Sequence, residues 1–193
     1  MSEGPLPAAD EAGSVTHDAV VYDLDGTLVE LAVDWGAVAS DVAGVLRERG
    51  VDPGTKGLWG MLELSDETGH REVVEATISE YERAGARDSR RLALADGLPH
   101  ENPVGVCSLN AESACRVALE VHEIEGVGPV VGRDTLDSAK PDPAGLLRVV
   151  EELGATPEGT VFVGDSERDA ETARRAGTHF AWASQFDQRR YRA

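Results

Sequence analysis

Two aspartates one residue apart, Asp23 and Asp25, follow the apolar run Ala19-Val20-Val21-Tyr22 and lead into Gly26-Thr27. A short, partly β-branched run of this kind reads as a buried strand ending in a polar turn. Carboxylates placed just beyond a strand can face different sides of one pocket, so that one attacks while the other transfers protons. Gly26 permits the sharp turn that this needs. Far along the chain, Gly164-Asp165-Ser166-Glu167-Arg168-Asp169 follows a second such run, Val161-Phe162-Val163, and spaces Asp165 and Asp169 by one helical turn. So many like charges at one site demand a counterion, and a hard, oxygen-loving cation such as Mg²⁺ is the natural one.

The elements that must position these groups alternate along the chain. After the first strand, Asp34 caps a helix with Trp35, Val38, Val42, Val45, Leu46 and Arg49 at helical spacing, closed by Gly50 and Pro53-Gly54. A second helix is expected over about 68–84, where Val74, Ile78 and Tyr81 share a face. From Asp34 to Ala95 the patterns predict helices and no strand. Strand and helix then resume: Val104 to Ser108, Asn110 to His122, Gly128 to Val131, and a helix opened by Asp142-Pro143 and stopped by Gly154. The strand at Val161 to Val163, a helix ending at Ala176-Gly177 and a short strand near Phe180 to Ala183 complete the order. This alternation predicts an α/β fold, three layers with a mostly parallel sheet between helices, interrupted after the first strand by a helical insertion. Three strands end in reactive side chains, at Asp23 and Asp25, Ser108, and Asp165, which is the edge where open parallel sheets bind ligands.

Composition limits the partners. The chain has 193 residues, enough for one domain or a core with a small insertion. Its formal net charge of -18 repels nucleic-acid phosphates and anionic lipid surfaces. No apolar run approaches the roughly 18 residues of a membrane span. Only Lys56 and Lys140 are lysines, against 16 arginines, so a lysine near the chemistry carries weight. An acidic, lysine-poor surface suits a protein kept hydrated in concentrated salt. Cys107 and Cys115 form no disulfide framework or zinc spacing and are expected reduced and buried, and the five histidines show no ligand spacing. Residues 1–17 have neither a basic nor an apolar leader pattern and read as a flexible tail of a cytoplasmic protein, and Arg189, Arg190 and Arg192 as a solvated tail.

The ordered set D-x-D-G-T-L after an apolar strand, a Ser ending the next strand, Lys before Pro-Asp-Pro, and G-D-S-x-x-x-D resembles the haloacid dehalogenase superfamily, close to the phosphoglycolate phosphatases. The resemblance spans about Asp18 to Ala183. It implies that Asp23 is a nucleophile that becomes an aspartyl phosphate, and that Asp25 protonates the leaving oxygen and then activates water. It implies further that Ser108 and Lys140 bind the phosphoryl group, with Thr27 supporting Asp25 or its turn. Mg²⁺ would be held by Asp23, the main-chain carbonyl of Asp25 and Asp165, with Asp169 completing or supporting that shell. The substrate implied is a small phosphorylated metabolite.

By the same resemblance, residues 18–30 and 97–193 form the core and 31–96 a helical cap that closes over it. The chain departs from the family pattern in two places. Glu30 and Leu31 stand where relatives carry an Asp, and Gly97 to Pro103 is too short for a helix often found there. Trp35, Trp59 and Tyr81 fit cap core more readily than substrate contact and are left unassigned. His70, Arg71, Arg83 and Arg87 fit either contact with an anionic substrate or surface salt bridges. Two alternatives share these residues: a phosphotransferase or mutase of the same family, and a non-hydrolytic phosphoacceptor signalling module.

Overall fold

The computed structural model describes residues 17–188. The expected tail before His17 and the arginines at 189, 190 and 192 lie outside the described residues. Strand β1, Ala19–Tyr22, is buried along its whole length. It pairs in parallel with β4, Val104–Cys107, on one side and β6, Thr160–Gly164, on the other, so that Val20 faces Val104 and Val161. β5, Val127–Val131, and β7, His179–Trp182, close the edges in parallel, giving the order β5-β4-β1-β6-β7. Because all five strands run the same way, the residues after β1, β4 and β6 emerge at one edge. That brings together segments more than 140 residues apart in sequence, from Asp23 to Asp165.

The alternation of side chains along each strand separates two apolar layers. Val20, Tyr22, Val106 and Val163 pack with Cys115 and Ala118 of α4, Glu112–Val121. Val21, Cys107 and Phe162 pack with Leu146 and Val149 of α5, Ala144–Glu152, and with Ala173 of α6, Glu167–Ala176. Both cysteines are free and buried, as expected. Burial of Cys107 pushes its thiol up to about 12, so neither redox nor nucleophilic chemistry is poised there. No helix of the described residues is long and apolar enough to cross a membrane.

Between β1 and β4 lie α1, Trp35–Glu48, α2, Leu58–Glu67, and α3, Arg71–Arg87. Their shared core is Val38, Val42, Leu46, Met61, Leu62, Val74 and Ile78. Asp34 caps α1 by accepting from the amides of Gly36 and Ala37, both at 3.0 Å. Several sequence expectations shift here. The second helix begins at Arg71 rather than near Thr68, because Thr68 and the left-handed Gly69 end α2 first. The segment is also not free of strand: β3, Arg90–Arg91, pairs antiparallel with β2, Val29–Glu30. Two residues give no alternation to read, and Arg-Arg becomes a strand only because Val29 and Glu30 offer it an edge. Trp35 and Trp59 are each more than a third exposed, so they are not core. Downstream, α5 starts one residue later than the Asp142-Pro143 pattern suggests, although Asp142 still accepts from the Ala144 amide at 2.9 Å.

Candidate active site

Asp23 directly follows β1, and its amide donates to the Val163 carbonyl at 2.8 Å, which extends the β1–β6 ladder to the residue itself. Its carboxylate is buried. Lys140 Nζ lies 3.0 Å from Asp23 Oδ1 and 2.5 Å from Asp169 Oδ1, and all three side chains are almost wholly removed from solvent. The ammonium also stands 5.4 Å from the centre of the Phe162 ring. Burial pushes the Asp23 carboxyl up to about 6, with Lys140 opposing that shift. For Lys140, burial alone would favour the neutral amine, but Asp23 and Asp169 outweigh it and raise its pKa, keeping it charged. Asp23 Oδ1 is at ion-pair distance from Lys140 but makes no hydrogen bond with good geometry, so it keeps an open lone pair.

Asp25 sits in the turn that follows. Gly26 N donates to Val29 O at 2.8 Å, and Leu28 N and Val29 N both donate to Leu24 O, which folds the chain back tightly. Gly26 is left-handed at φ +80°, and a Cβ there would land on the Asp165 carboxylate. The Leu31 amide donates to Asp25 Oδ1 at 2.8 Å and so fixes the carboxylate. Burial raises the Asp25 pKa, partly countered by that amide. Thr27 does not reach Asp25 by hydrogen bonding: its buried hydroxyl has no partner among the described residues, and backbone bonds order the turn. The anchor of Asp25 is thus Leu31, one of the positions where the chain departs from the pattern it resembles.

Asp165 follows β6 and remains exposed, its pKa raised by partial burial and by Asp169. Asp169 is the third residue of α6. Its Oδ2 accepts from the Ser166 amide and hydroxyl at 3.2 and 2.6 Å, while Ser166 Oγ accepts from the Asp169 amide, forming a capping box. Carboxylate oxygens of Asp23, Asp165 and Asp169 lie within 4.8 Å of one another. Three convergent carboxylates, one with an open lone pair, fit a hard divalent cation bound through oxygen. Because Lys140 and Ser166 already occupy Asp169, Asp23 and Asp165 are the freer donors.

Ser108 follows β4, on the strand next to Asp23, and is buried. Its Oγ donates to Asn110 Oδ1 at 3.1 Å and accepts from the Asn110 amide at 3.3 Å. Asn110 Nδ2 in turn donates to Glu82 Oε1 at 3.2 Å, and the Ala111 amide donates to Glu82 Oε2 at 2.9 Å. Glu82, on α3, has no solvent exposure and pairs with both terminal nitrogens of Arg133 at 2.7 and 3.1 Å. Arg133 also binds Glu75 and the Leu109 carbonyl. Sequence reasoning passed over Glu82, Asn110 and Arg133. One signal was available: Glu82 continues the Val74, Ile78 stripe at i+4, an acid in a core position.

Two cavities flank this centre. One, of about 560 Å³, is lined by Asp25, Asp165, Glu30, Arg90 and Trp35 among others. The other, of about 280 Å³, reaches Lys140, Trp59, Arg71, Arg133 and Arg168. The Trp35 and Trp59 rings, 6.4 Å apart, stand one in each. A larger open cavity of about 790 Å³ between α4 and β5 touches no site residue. Of the other side chains weighed from the sequence, Arg71 pairs with Asp66 and Glu75, Arg83 bonds Ser113, and Arg87 bonds the Arg83 carbonyl. Tyr81 donates to Asp41 at 2.5 Å.

A parallel α/β core gathers acidic residues at its strand ends, and comparison with known proteins gives the class to which it belongs. Residues 96–183 match the family model described as haloacid dehalogenase-like hydrolase. The chain is 33% identical over 185 residues to a phosphoglycolate phosphatase of Rhodospirillum rubrum, covering 82% of this chain and 76% of that one. A phosphoglycolate phosphatase of Aquifex aeolicus is 27% identical over 188 residues, with 85% and 83% covered. A solved chain from Lactobacillus plantarum shares the fold with a TM-score of 0.65 at 21% identity, covering 87% and 86%. The chain belongs to the haloacid dehalogenase-like hydrolases. Within them it groups with phosphatases.

Proposed function

We propose that the protein is a Mg²⁺-dependent phosphatase that hydrolyses a small phosphorylated metabolite through an aspartyl phosphate on Asp23. The observation that carries this reading is the buried Asp23 carboxylate held against Lys140 beside Asp165 and Asp169. Asp23 attacks phosphorus, the ester P–O bond breaks, and Asp25 delivers its proton to the departing oxygen. Water then attacks the acyl phosphate while Asp25 takes the proton back, and inorganic phosphate leaves. The raised pKa of Asp25 suits a group that must carry this proton. Ser108 donates to a non-bridging oxygen, and Lys140 balances charge on the phosphoryl group and on Asp23. Asp23 and Asp165, with the Asp25 main-chain carbonyl, would hold Mg²⁺, and Asp169 supports them through Lys140. Bound Mg²⁺ supplies positive charge that offsets repulsion between a phosphate dianion and these carboxylates.

In this reading residues 18–30 and 97–193 are the core, and 31–96 a cap that shields the reaction from water. The apolar cluster of α1, α2 and the first half of α3 supports that division, while Leu31, Ala86 and Ala95 pack against the core layer and mark where the two parts join. The names of the relatives favour phosphoglycolate as the substrate, with sugar phosphates next. The net charge of -18 supports work in concentrated salt, and the two reduced thiols fit the cytoplasm. The test is Mg²⁺-dependent hydrolysis of p-nitrophenyl phosphate by wild type and Asp23→Asn, in low and in multimolar potassium chloride. Turnover by wild type alone supports the reading, and equal turnover by Asp23→Asn overturns the nucleophile. A folded wild type that becomes phosphorylated on Asp23 yet releases little phosphate is instead a phosphotransferase or phosphoacceptor.

A further inference from the structure

Glu82 and Arg133 form a buried ion pair between α3 and the loop after β5. Arg133 is 1% exposed and Glu82 0%, and charges so placed cost more in lost hydration than a well-packed apolar pair. Their contacts run toward the reacting centre. A carboxylate only accepts, so the Asn110 group that faces Glu82 must be its NH₂. The Asn110 carbonyl oxygen is thereby turned to Ser108, whose hydroxyl it receives, while the Asn110 amide holds the Ser108 oxygen from the other side. Were Asn110 flipped, its NH₂ would face Ser108 Oγ and its oxygen would face the Glu82 carboxylate, which is repulsive. Glu82 itself is held by four donors: two nitrogens of Arg133, Asn110 Nδ2 and the Ala111 amide.

We infer that Glu82 is a positioning residue for phosphate binding, with Arg133 fixing Glu82, Glu82 fixing the Asn110 amide, and Asn110 Oδ1 holding the single Ser108 hydrogen, which phosphate must take over to bind. This rests on the proposed phosphate-binding role of Ser108. It means that a helix of the segment between β1 and β4 sets the geometry of a group on the sheet edge.

The test compares the KM for p-nitrophenyl phosphate and the inhibition constant of inorganic phosphate in wild type, Ser108→Ala, Asn110→Ala, Glu82→Gln, and each of the last two combined with Ser108→Ala. Ser108→Ala is expected to weaken phosphate about ten-fold or more, the loss of one hydrogen bond to a charged group. Asn110→Ala and Glu82→Gln release the Ser108 hydrogen and are expected to tighten phosphate about three- to ten-fold in the wild-type background and to change nothing once Ser108 is gone, the non-additivity of groups acting in series. Asn110→Ala leaves the Arg133–Glu82 pair and the Ala111 contact in place, so it decides the matter if Glu82→Gln does not fold. A merely structural role would lower stability and leave the phosphate constant, or would add its full effect to Ser108→Ala, and either result overturns the inference. Wild-type phosphate binding in Ser108→Ala overturns the Ser108 assignment itself. Impaired Ser108→Ala beside wild-type Asn110→Ala overturns only the relay.

Discussion

Asp23→Asn in the metal-free protein offers a test of the site that needs no substrate. Burial raises the Asp23 carboxyl from its ordinary 3.8 to about 6 in the folded chain. The folded state therefore binds this proton more tightly than the unfolded state does. The stability linked to it is fully present below about pH 4 and is lost as pH rises to about 6. At about 1.4 kcal/mol per unit, the charged side chain costs the apo fold up to about 3 kcal/mol at pH 7.5. Asparagine matches the neutral acid in shape, and Lys140 keeps Asp169 as partner, so the variant escapes that cost. For a chain of this length about 3 kcal/mol corresponds to a Tm gain of about 6–12 °C. The assay is urea unfolding followed by tryptophan fluorescence in a chelator, at constant salt, at pH 4, 5, 6 and 7.5. The offset between variant and wild type should grow from near zero at pH 4 to its full size at pH 7.5. An offset that is the same at every pH, or a variant less stable at pH 7.5, would refute the argument that Asp23, the proposed nucleophile, is a buried, electrostatically costly carboxylate.

Three further outcomes are expected. Gly26→Ala places a Cβ on the Asp165 carboxylate in a left-handed turn, so the Mg²⁺ concentration for half-maximal activity should rise, with a stability loss of about 1–2 kcal/mol by denaturant titration. An unchanged Mg²⁺ requirement would separate Asp165 from the metal. Lys140→Met leaves Asp23 and Asp169 facing one another without their cation and should lower apo stability by about 3–5 kcal/mol. Added Mg²⁺ should then raise the Tm of this variant more than that of wild type, as seen by differential scanning fluorimetry. Asp25→Asn should slow turnover by at least about 10²-fold, the range of general acid–base catalysis. With a substrate whose leaving group needs no proton, phosphorylated Asp23 should accumulate and be visible by mass spectrometry after acid quench.

The sheet was legible because its strands are short, continuous apolar runs ending in polar turns, as Ala19–Tyr22 and Thr160–Gly164 show. The aspartates were legible for the same reason: each stands just past a run that can only be a buried strand. β2 and β3 were not, since pairing between Val29-Glu30 and Arg90-Arg91 is a tertiary event with no local pattern. Trp35 and Trp59 could not be assigned from the sequence, where cap core was the commoner reading, and each lines a cavity beside the acidic cluster. The relay through Glu82 was the hardest to see. It joins residues 28 to 51 positions apart, and only the acid on an apolar stripe hinted that a distant arginine must answer it. For Thr27, expected to support Asp25 or its turn, the hydroxyl has no partner among the described residues, its amide donates to Leu24 O within the turn, and the Leu31 amide holds Asp25.

The scarcity of lysine gives the protein an unusual chemical profile. Its two side-chain amines differ sharply: Lys56 is exposed, whereas Lys140 is enclosed by Asp23, Asp169 and the Phe162 ring and stays protonated. Acylating reagents attack only the neutral, accessible amine. Among side chains, activated-ester dyes, cross-linkers and resin couplings will therefore be directed to Lys56, away from the strand ends. The folded enzyme can be labelled or immobilised through the Lys56 amine with the acidic cluster at the strand ends untouched, and acylation of Lys140 becomes a direct report that the core has opened.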